Sequence, residues 1–257
     1  MLSATTRLSE LYADGGVAEL HRGIRDYLLF NTGVPLHRLH RRRDLVVGGQ
    51  TVTFRIDSTE ALVRSDGHGE RPILDEFAYR VDSDDVVWDV GANMGSYSLL
   101  AGSIGAEVVA FEPGPRARLA LLDNARLNEV DDSIDATPYA LADWDGPGVL
   151  LPASRSGVRE LARDADEGDT VPVRRGDDLD VPAPDVVKID VEGAEVAVLD
   201  GMADRLAACR LCYVEVHEGV DVEAVRERLE TAGLEVTEIR ITSRADHTFL
   251  RGEEVRD

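Results

Sequence analysis

Val86-Val87-Trp88-Asp89-Val90-Gly91-Ala92-Asn93-Met94-Gly95-Ser96 reads as a short apolar strand, a turn hinged on two glycines, and the start of a helix. An apolar run this short, closed by glycine, has the length of a buried strand rather than of a helix. Gly91 and Gly95 let the backbone turn tightly and come close to a ligand. The helix opening near Ser96 presents free N–H groups and the positive end of its dipole, which suit an anion such as the carboxylate of an amino-acid moiety. In open α/β sheets, ligands bind at the carboxyl ends of the strands.

Downstream, the alternation of strand and helix continues. Glu107 to Phe111 reads as a second strand and 115–128 as a helix. A third strand falls on 134–140, a fourth on Val186 to Val191 and a fifth on Leu211 to His217. Helices begin near Ala194 and span 221–232, the latter on the amphipathic set Val222, Val225, Leu229. Strands at 234–242 and 247–251 complete a set of seven. The polar stretch 143–180 predicts an irregular hairpin. The fold class is α/β: a Rossmann-like, mostly parallel seven-stranded sheet with helices on both faces. Upstream, 3–30 has helical spacing broken at Gly15-Gly16, and 45–56 reads as a β-hairpin turning at Gly48-Gly49-Gln50. A short helix follows at 72–80. Residues 1–82 are thus an N-terminal helical and β-hairpin accessory region, and 83–257 the main domain.

With 257 residues and 43% apolar content, the chain can bury a sizeable core. Acidic residues number 50 against 28 basic, a net charge of −22. That field disfavours nucleic acid and anionic lipid as partners. Lys188 is the only lysine, so arginine supplies nearly all the positive charge. Acid excess with almost no lysine fits a halophilic protein, whose self-repulsion concentrated salt screens. The basic run His37 to Arg43 is read as a solvated segment pairing with this acidic surface rather than as a phosphate dock. Cys209 and Cys212 lack the second half of a zinc site and read as core thiols. No signal-peptide core or ~20-residue apolar span is visible, so the expectation is a soluble cytoplasmic protein. Its oligomeric state is not legible.

Glu112 ends the second strand 21 residues beyond Gly91, where a carboxylate can accept both hydroxyls of a ribose. A nucleoside cofactor follows. A dinucleotide loop needs G-x-G-x-x-G, but Asn93 occupies the middle glycine position. The spacing suits S-adenosylmethionine better than NAD, and the absence of G-K-[ST] disfavours ATP.

In order along the chain stand Asp89 to Gly95, Phe111-Glu112-Pro113, Ala140-Leu141-Ala142-Asp143, Lys188-Ile189-Asp190-Val191-Glu192-Gly193-Ala194-Glu195 and Val214-Glu215-Val216-His217. This set resembles the FkbM family of S-adenosylmethionine-dependent methyltransferases over residues 70–252. The resemblance implies a class I methyltransferase sheet with its last strand antiparallel, and O-methylation of a small-molecule or glycan acceptor. It implies that Asp89, Gly91, Asn93 and Gly95 form the methionine end of the cofactor site, that Glu112 holds the ribose, and that Asp143 lies near the adenine.

Methyl transfer to a hydroxyl needs an aligned acceptor and a base. The candidates are Asp190, Glu192, His217 and Lys188. Lys188 and Asp190, two apart on a strand, share a face, and charges inside an apolar strand are costly unless paired. A histidine titrating near neutrality is a natural base. Glu195 is equally a helix cap or a site residue. Asp190, Glu215 and His217 are residue types that hold Mg²⁺, but their spacing does not establish a site, and no metal is assigned. An NAD-dependent oxidoreductase is the alternative enzyme class, disfavoured by the missing glycine. A non-catalytic methyltransferase-like binding module is a second alternative, and an RNA methyltransferase a third, disfavoured by charge.

Overall fold

The computed structural model describes residues 17, 41–65, 67, 70–151, 159–241 and 247–255. The helix expected over 3–30 and residues 37–40 of the basic run lie outside the described residues, apart from Val17.

Strands β1 (Arg42–Val47) and β2 (Gln50–Arg55) form the expected hairpin. Helices α1 (Thr59–Arg64) and α2 (Arg71–Arg80) follow. The main sheet then begins with β3 (Val86–Val90), α3 (Ser96–Ile104), β4 (Glu107–Phe111), α4 (Pro115–Leu127) and β5 (Ile134–Thr137). A second unit carries β6 (Ala140–Leu141), β7 (Gly146–Leu150), β8 (Leu161–Ala162) and β9 (Asp169–Arg174). The chain returns through β10 (Val186–Ile189), α5 (Glu195–Gly201), α6 (Ala203–Ala208), β11 (Leu211–Val216), α7 (Val222–Thr231), β12 (Leu234–Ile239) and β13 (Thr248–Glu254).

The main sheet has seven strands in the order β12-β13-β11-β10-β3-β4-β5. All neighbours are parallel except around β13, which is antiparallel to both β11 and β12. This is the class I methyltransferase arrangement. The chain order reverses between β3 and β10, so the helices following them diverge and leave a crevice between the strand ends. Both faces are covered. Val87, Val108, Ala110, Val186 and Leu211 pack toward α2, α3 and the hairpin; Trp88, Val109, Val187, Ile189 and Val214 pack toward α5, α6 and α7. That double burial is why β3 and β10 are near-continuous apolar runs. Helix α7 starts where Asp221 accepts from the backbone N–H groups of Glu223 and Ala224 at 3.1 and 3.4 Å, a side-chain N-cap.

The 143–180 stretch departs from the expected lone hairpin. It builds a four-stranded sheet, β6-β9-β7-β8, whose inward residues Val171, Val173 and Leu150 pack on Ala140 and Ala142. Alternation in Asp169-Thr-Val-Pro-Val-Arg174, with Pro172 outward, accounts for β9. The third strand is shorter than expected because Pro138 ends it, and Ala140–Leu141 joins this second sheet.

The hairpin is fastened to the main sheet's helices by side chains. Asn128 Oδ1 accepts from Thr53 N at 2.7 Å and its Nδ2 donates to Thr53 O at 2.8 Å, while Asn124 Oδ1 accepts from Arg55 N at 2.9 Å. Two helix amides thus satisfy a strand edge that would otherwise need a third strand. Val47, Val52, Phe54, Leu62, Ile73 and Phe77 share one apolar core with Val87, Leu99 and Leu121.

Cys209 and Cys212 are free, buried thiols. Burial pushes Cys209 up to about 12 and Cys212 well above its ordinary range. The thiolate is the reactive form. Both are therefore expected to resist iodoacetamide in the native protein at pH 8 and to react fully in denaturant. Native-state alkylation within minutes, read by intact mass, contradicts that burial.

Candidate functional site

A cleft of about 1060 Å³ opens at the carboxyl ends of β3, β4 and β10. Its floor is Val90, Gly91, Asn93, Phe111, Glu112, Asp190, Val191 and Glu192. At the turn after β3, the N–H groups of Gly91 and Ala92 both donate to Phe111 O, at 2.9 and 3.1 Å, which locks the turn to the end of β4. Gly91 has φ +84, and a Cβ there would stand 1.9 Å from Asp190 O. This position tolerates no side chain, because two loops of the cleft touch through it.

Glu112 is nearly buried. Its Oε2 accepts from Asn93 N at 2.8 Å and its Oε1 from Gly114 N at 2.7 Å. Each oxygen keeps a further lone pair, so the carboxylate can still accept two hydroxyls. Burial raises its pKa, and the two backbone bonds work against that rise.

Asp89, Gly95 and Asp143 stand elsewhere. Asp89 is buried, and one carboxylate oxygen accepts from both the backbone N–H (2.9 Å) and the hydroxyl of Ser98, tying β3 to the first turn of α3. Burial, opposed by the Ser98 bonds and by Lys188, pushes Asp89 up to about 6. Gly95, at φ +95, precedes α3 and would place a Cβ 3.0 Å from Leu121, beneath the helix rather than in the cleft. Asp143 faces Arg163 at 3.5 Å and does not line the cleft; the neighbouring wall is Tyr139, Ala140 and Leu141.

The charged candidates fall on one face of the sheet, as the alternation of strand side chains requires. Registers Lys188↔Asp89 and Lys188↔Tyr213 set a row across β3, β10 and β11, with Asp190, Glu215 and His217 just beyond it. Lys188 is wholly buried. Its Nζ donates to Ile189 O at 3.1 Å, stands 4.0 Å from Glu215 Oε2, and lies 5.0 Å from the centre of the Tyr97 ring. Tyr97 in turn donates to Glu70 Oε2 at 3.0 Å. Burial alone lowers the Lys188 pKa, but Asp190, Glu215, Glu70 and Asp89 outweigh it and the net shift is upward, so it stays charged. Burial and Glu215 raise Asp190, while Lys188 and His217 oppose them.

His217 is enclosed by carboxylates. Its Nδ1 meets Glu195 Oε1 at 2.6 Å; its Nε2 lies 3.0 Å from Glu192 Oε2, 3.5 Å from Asp190 Oδ1 and 3.8 Å from Glu215 Oε1. Burial opposes protonation, yet the bonds to Glu192 and Glu195 and the charge of Asp190 prevail and push His217 up to about 10. That upward shift favours the protonated, cationic ring over the free base its residue type suggests. Glu192, at φ 54, is held on the turn between β10 and α5, and His217 draws its carboxyl below the ordinary range against the effect of burial.

Four residues of the site carried no clear signal in the sequence. His247 precedes β13; its Nδ1 lies 2.8 Å from Glu215 Oε1, and its ring packs edge-on against His217 at 4.9 Å. The pairing Val216↔Thr248 places these histidines side by side, which only the register of the antiparallel strand could have shown. Glu70, Tyr97 and Arg64 come from helices and turns whose sequences resemble ordinary surface or core.

Among the described residues, three groupings bring ligating atoms within 4.8 Å of one another: Glu215, His217 and His247; Asp190, Glu192 and His217; Glu70, Asp190 and Glu215.

The fold and these site motifs have counterparts in known proteins. Residues 89–236 match the family model of the methyltransferase FkbM domain. The hexuronic acid methyltransferase AglP of Haloferax volcanii is 31% identical over 241 residues, covering 91% of this chain and 96% of that protein. Among solved structures, methyltransferase FkbM from Methylobacillus flagellatus has a TM-score of 0.53 at 17% identity, over 75% of this chain and 52% of that one, a likeness of fold. Sheet order, family match and near full-length relative agree: the chain belongs to the FkbM methyltransferase family and is an S-adenosylmethionine-dependent methyltransferase.

Proposed function

We propose that the protein transfers the methyl group of S-adenosylmethionine to a hydroxyl of an acidic sugar, free or within a glycan. The observation that carries this reading is the junction of the Gly91 turn, Glu112 and Asp190 in one cleft. Gly91 and Asn93 face the methionine end of the cofactor, with Asp89 and Gly95 supporting the turn from below. Glu112 accepts the ribose hydroxyls. Tyr139, Ala140 and Leu141, rather than Asp143, wall the adenine. Bound there, S-adenosylmethionine would supply a methyl group on a sulfonium, which the acceptor oxygen would take while the carbon–sulfur bonding pair stays with sulfur. The hydroxyl proton passes to Asp190, whose carboxylate feels the buried positive charge of Lys188.

The acceptor class rests on the AglP relative and on the cleft's mouth. Arg55, Arg64 and Arg116 line one side of it, and guanidinium groups suit a carboxylate. Among the described residues, the end of β2 and the segment from Asp57 to Arg64 form an accessory wall on that side. An acidic, lysine-poor composition and a relative from Haloferax volcanii support a high-salt cytoplasm as its setting. Among the described residues no helix is long and apolar enough to cross a membrane.

Glu112→Ala tests the cofactor pose. Losing two hydrogen bonds to a charged group, at about 1.5 kcal/mol or more each, is expected to weaken S-adenosylmethionine binding by at least about 100-fold in calorimetry. Unchanged affinity removes Glu112 from the site. Transfer itself is read by mass spectrometry of an acidic-sugar acceptor gaining one methylene.

A further inference from the structure

We propose that Asp190, Glu192 and His217 form a binding site for one octahedral divalent cation of the Mg²⁺/Mn²⁺ class, open toward the cleft so that the acceptor's hydroxyls complete its coordination. This deepens the methyl-transfer reading and rests on it for its role, while the existence of the site is tested without cofactor or acceptor.

The geometry is that of a ligand set. Ligands about 2.1 Å from an octahedral ion stand about 3 Å apart along its edges. His217 Nε2 lies 3.0 Å from Glu192 Oε2 and 3.5 Å from Asp190 Oδ1, and the three ligating atoms all lie within 4.8 Å of one another. Two carboxylates with one imidazole match hard, oxygen-preferring cations rather than the thiolate-seeking ones. Asp190 and Glu192 line the cleft, which leaves the far side of the ion open to substrate.

The support behind the ligands points the same way. Glu195 is wholly buried, and its Oε1 engages His217 Nδ1 at 2.6 Å, aiming Nε2 at the two carboxylates. A carboxylate on the far nitrogen of a ligating imidazole is how proteins orient such ligands and raise their basicity. Oε1 also accepts from Gly193 N at 3.2 Å and His217 N at 3.3 Å, so the support is itself fixed. The other oxygen, Glu195 Oε2, is buried without a hydrogen-bond partner among the described residues. A buried carboxylate oxygen left so is costly unless positive charge stands near. An acceptor hydroxyl on the ion becomes more acidic, and the carboxylate oxygen of Asp190 not bound to the ion receives its proton.

The test titrates Mn²⁺ into chelator-treated full-length protein at fixed ionic strength, following free Mn²⁺ by electron paramagnetic resonance. One ion per chain is expected. Glu192→Gln and Asp190→Asn are each expected to weaken binding at least 10-fold, with thermal melting and S-adenosylhomocysteine affinity reporting that fold and cofactor site persist. Glu192→Asp is expected to restore part of the Mn²⁺ affinity. Absence of saturable binding, or equal binding by both variants, overturns the site. If Mn²⁺ binds as proposed but no methylated sugar forms, the acceptor reading fails and the metal site stands.

Discussion

Gly91→Ala is expected to abolish measurable cofactor binding, raising the dissociation constant for S-adenosylmethionine by at least about 100-fold. Two costs combine at that position. At φ +84 an L-residue is held in the left-handed region, at about 1–2 kcal/mol. The added Cβ would also stand 1.9 Å from Asp190 O and 2.8 Å from Asp190 C, backbone atoms that no rotamer change can move aside. The turn after β3 and the loop after β10 must separate, and they are the two lips of the proposed cofactor site. The hydrogen bonds of Gly91 N and Ala92 N to Phe111 O transmit that movement to the segment carrying Glu112. Calorimetry measures the affinity and scanning calorimetry the accompanying fall in melting temperature. A variant that binds normally shows that the cofactor does not use this junction. Gly219, where an added Cβ meets nothing within 4 Å, is the control for a strained but uncrowded glycine.

Asp190→Asn is expected to lower turnover by about 10²–10⁴-fold, the range associated with removing a positioned base, while changing cofactor affinity by less than about threefold. The amide keeps the shape of the side chain, so β10 and its contact with Gly91 survive. It cannot take the acceptor's proton, and it leaves Lys188 with one negative neighbour fewer. The split between kcat and cofactor affinity is the diagnostic. Equal losses in both place Asp190 in cofactor binding, and unimpaired turnover removes it from the chemistry. Glu195→Gln tests positioning at the opposite end of the cluster. It weakens the hold on His217 Nδ1 without touching the cleft, and the expected result is a turnover loss of about 10-fold or more with cofactor affinity unchanged.

The central sheet was legible because its strands are buried on both faces. Val86–Val90, Glu107–Phe111 and Leu211–Val216 lie within about one residue of where their apolar runs place them. Proline and glycine altered the expected boundaries. Pro138 cut the third strand, and the turn at Glu192-Gly193 ended the fourth at Ile189. The small sheet around β9 was hidden because its two buried valines alternate with outward Thr170 and Pro172, too short a pattern to stand out in polar surroundings. Gly91, Glu112 and Asp190 were readable as cleft residues because each ends a strand. Asp143 was not, since its direction depends on how β6 leaves the sheet for β9. His247 joined the site through the antiparallel register, a long-range pairing that no local spacing encodes. The charge of His217 also depended on assembly: residue type suggests a base, and only the convergence of Glu192, Glu195 and Asp190 favours the cation.

The single lysine sits under the sheet against Tyr97 and is shut off from solvent. The folded protein therefore shows the outside world no ε-amine at all. Acylating reagents, isopeptide-forming enzymes and aldehyde cross-linkers find no such handle on it, and any acetyl group recovered at Lys188 marks a molecule that had come undone.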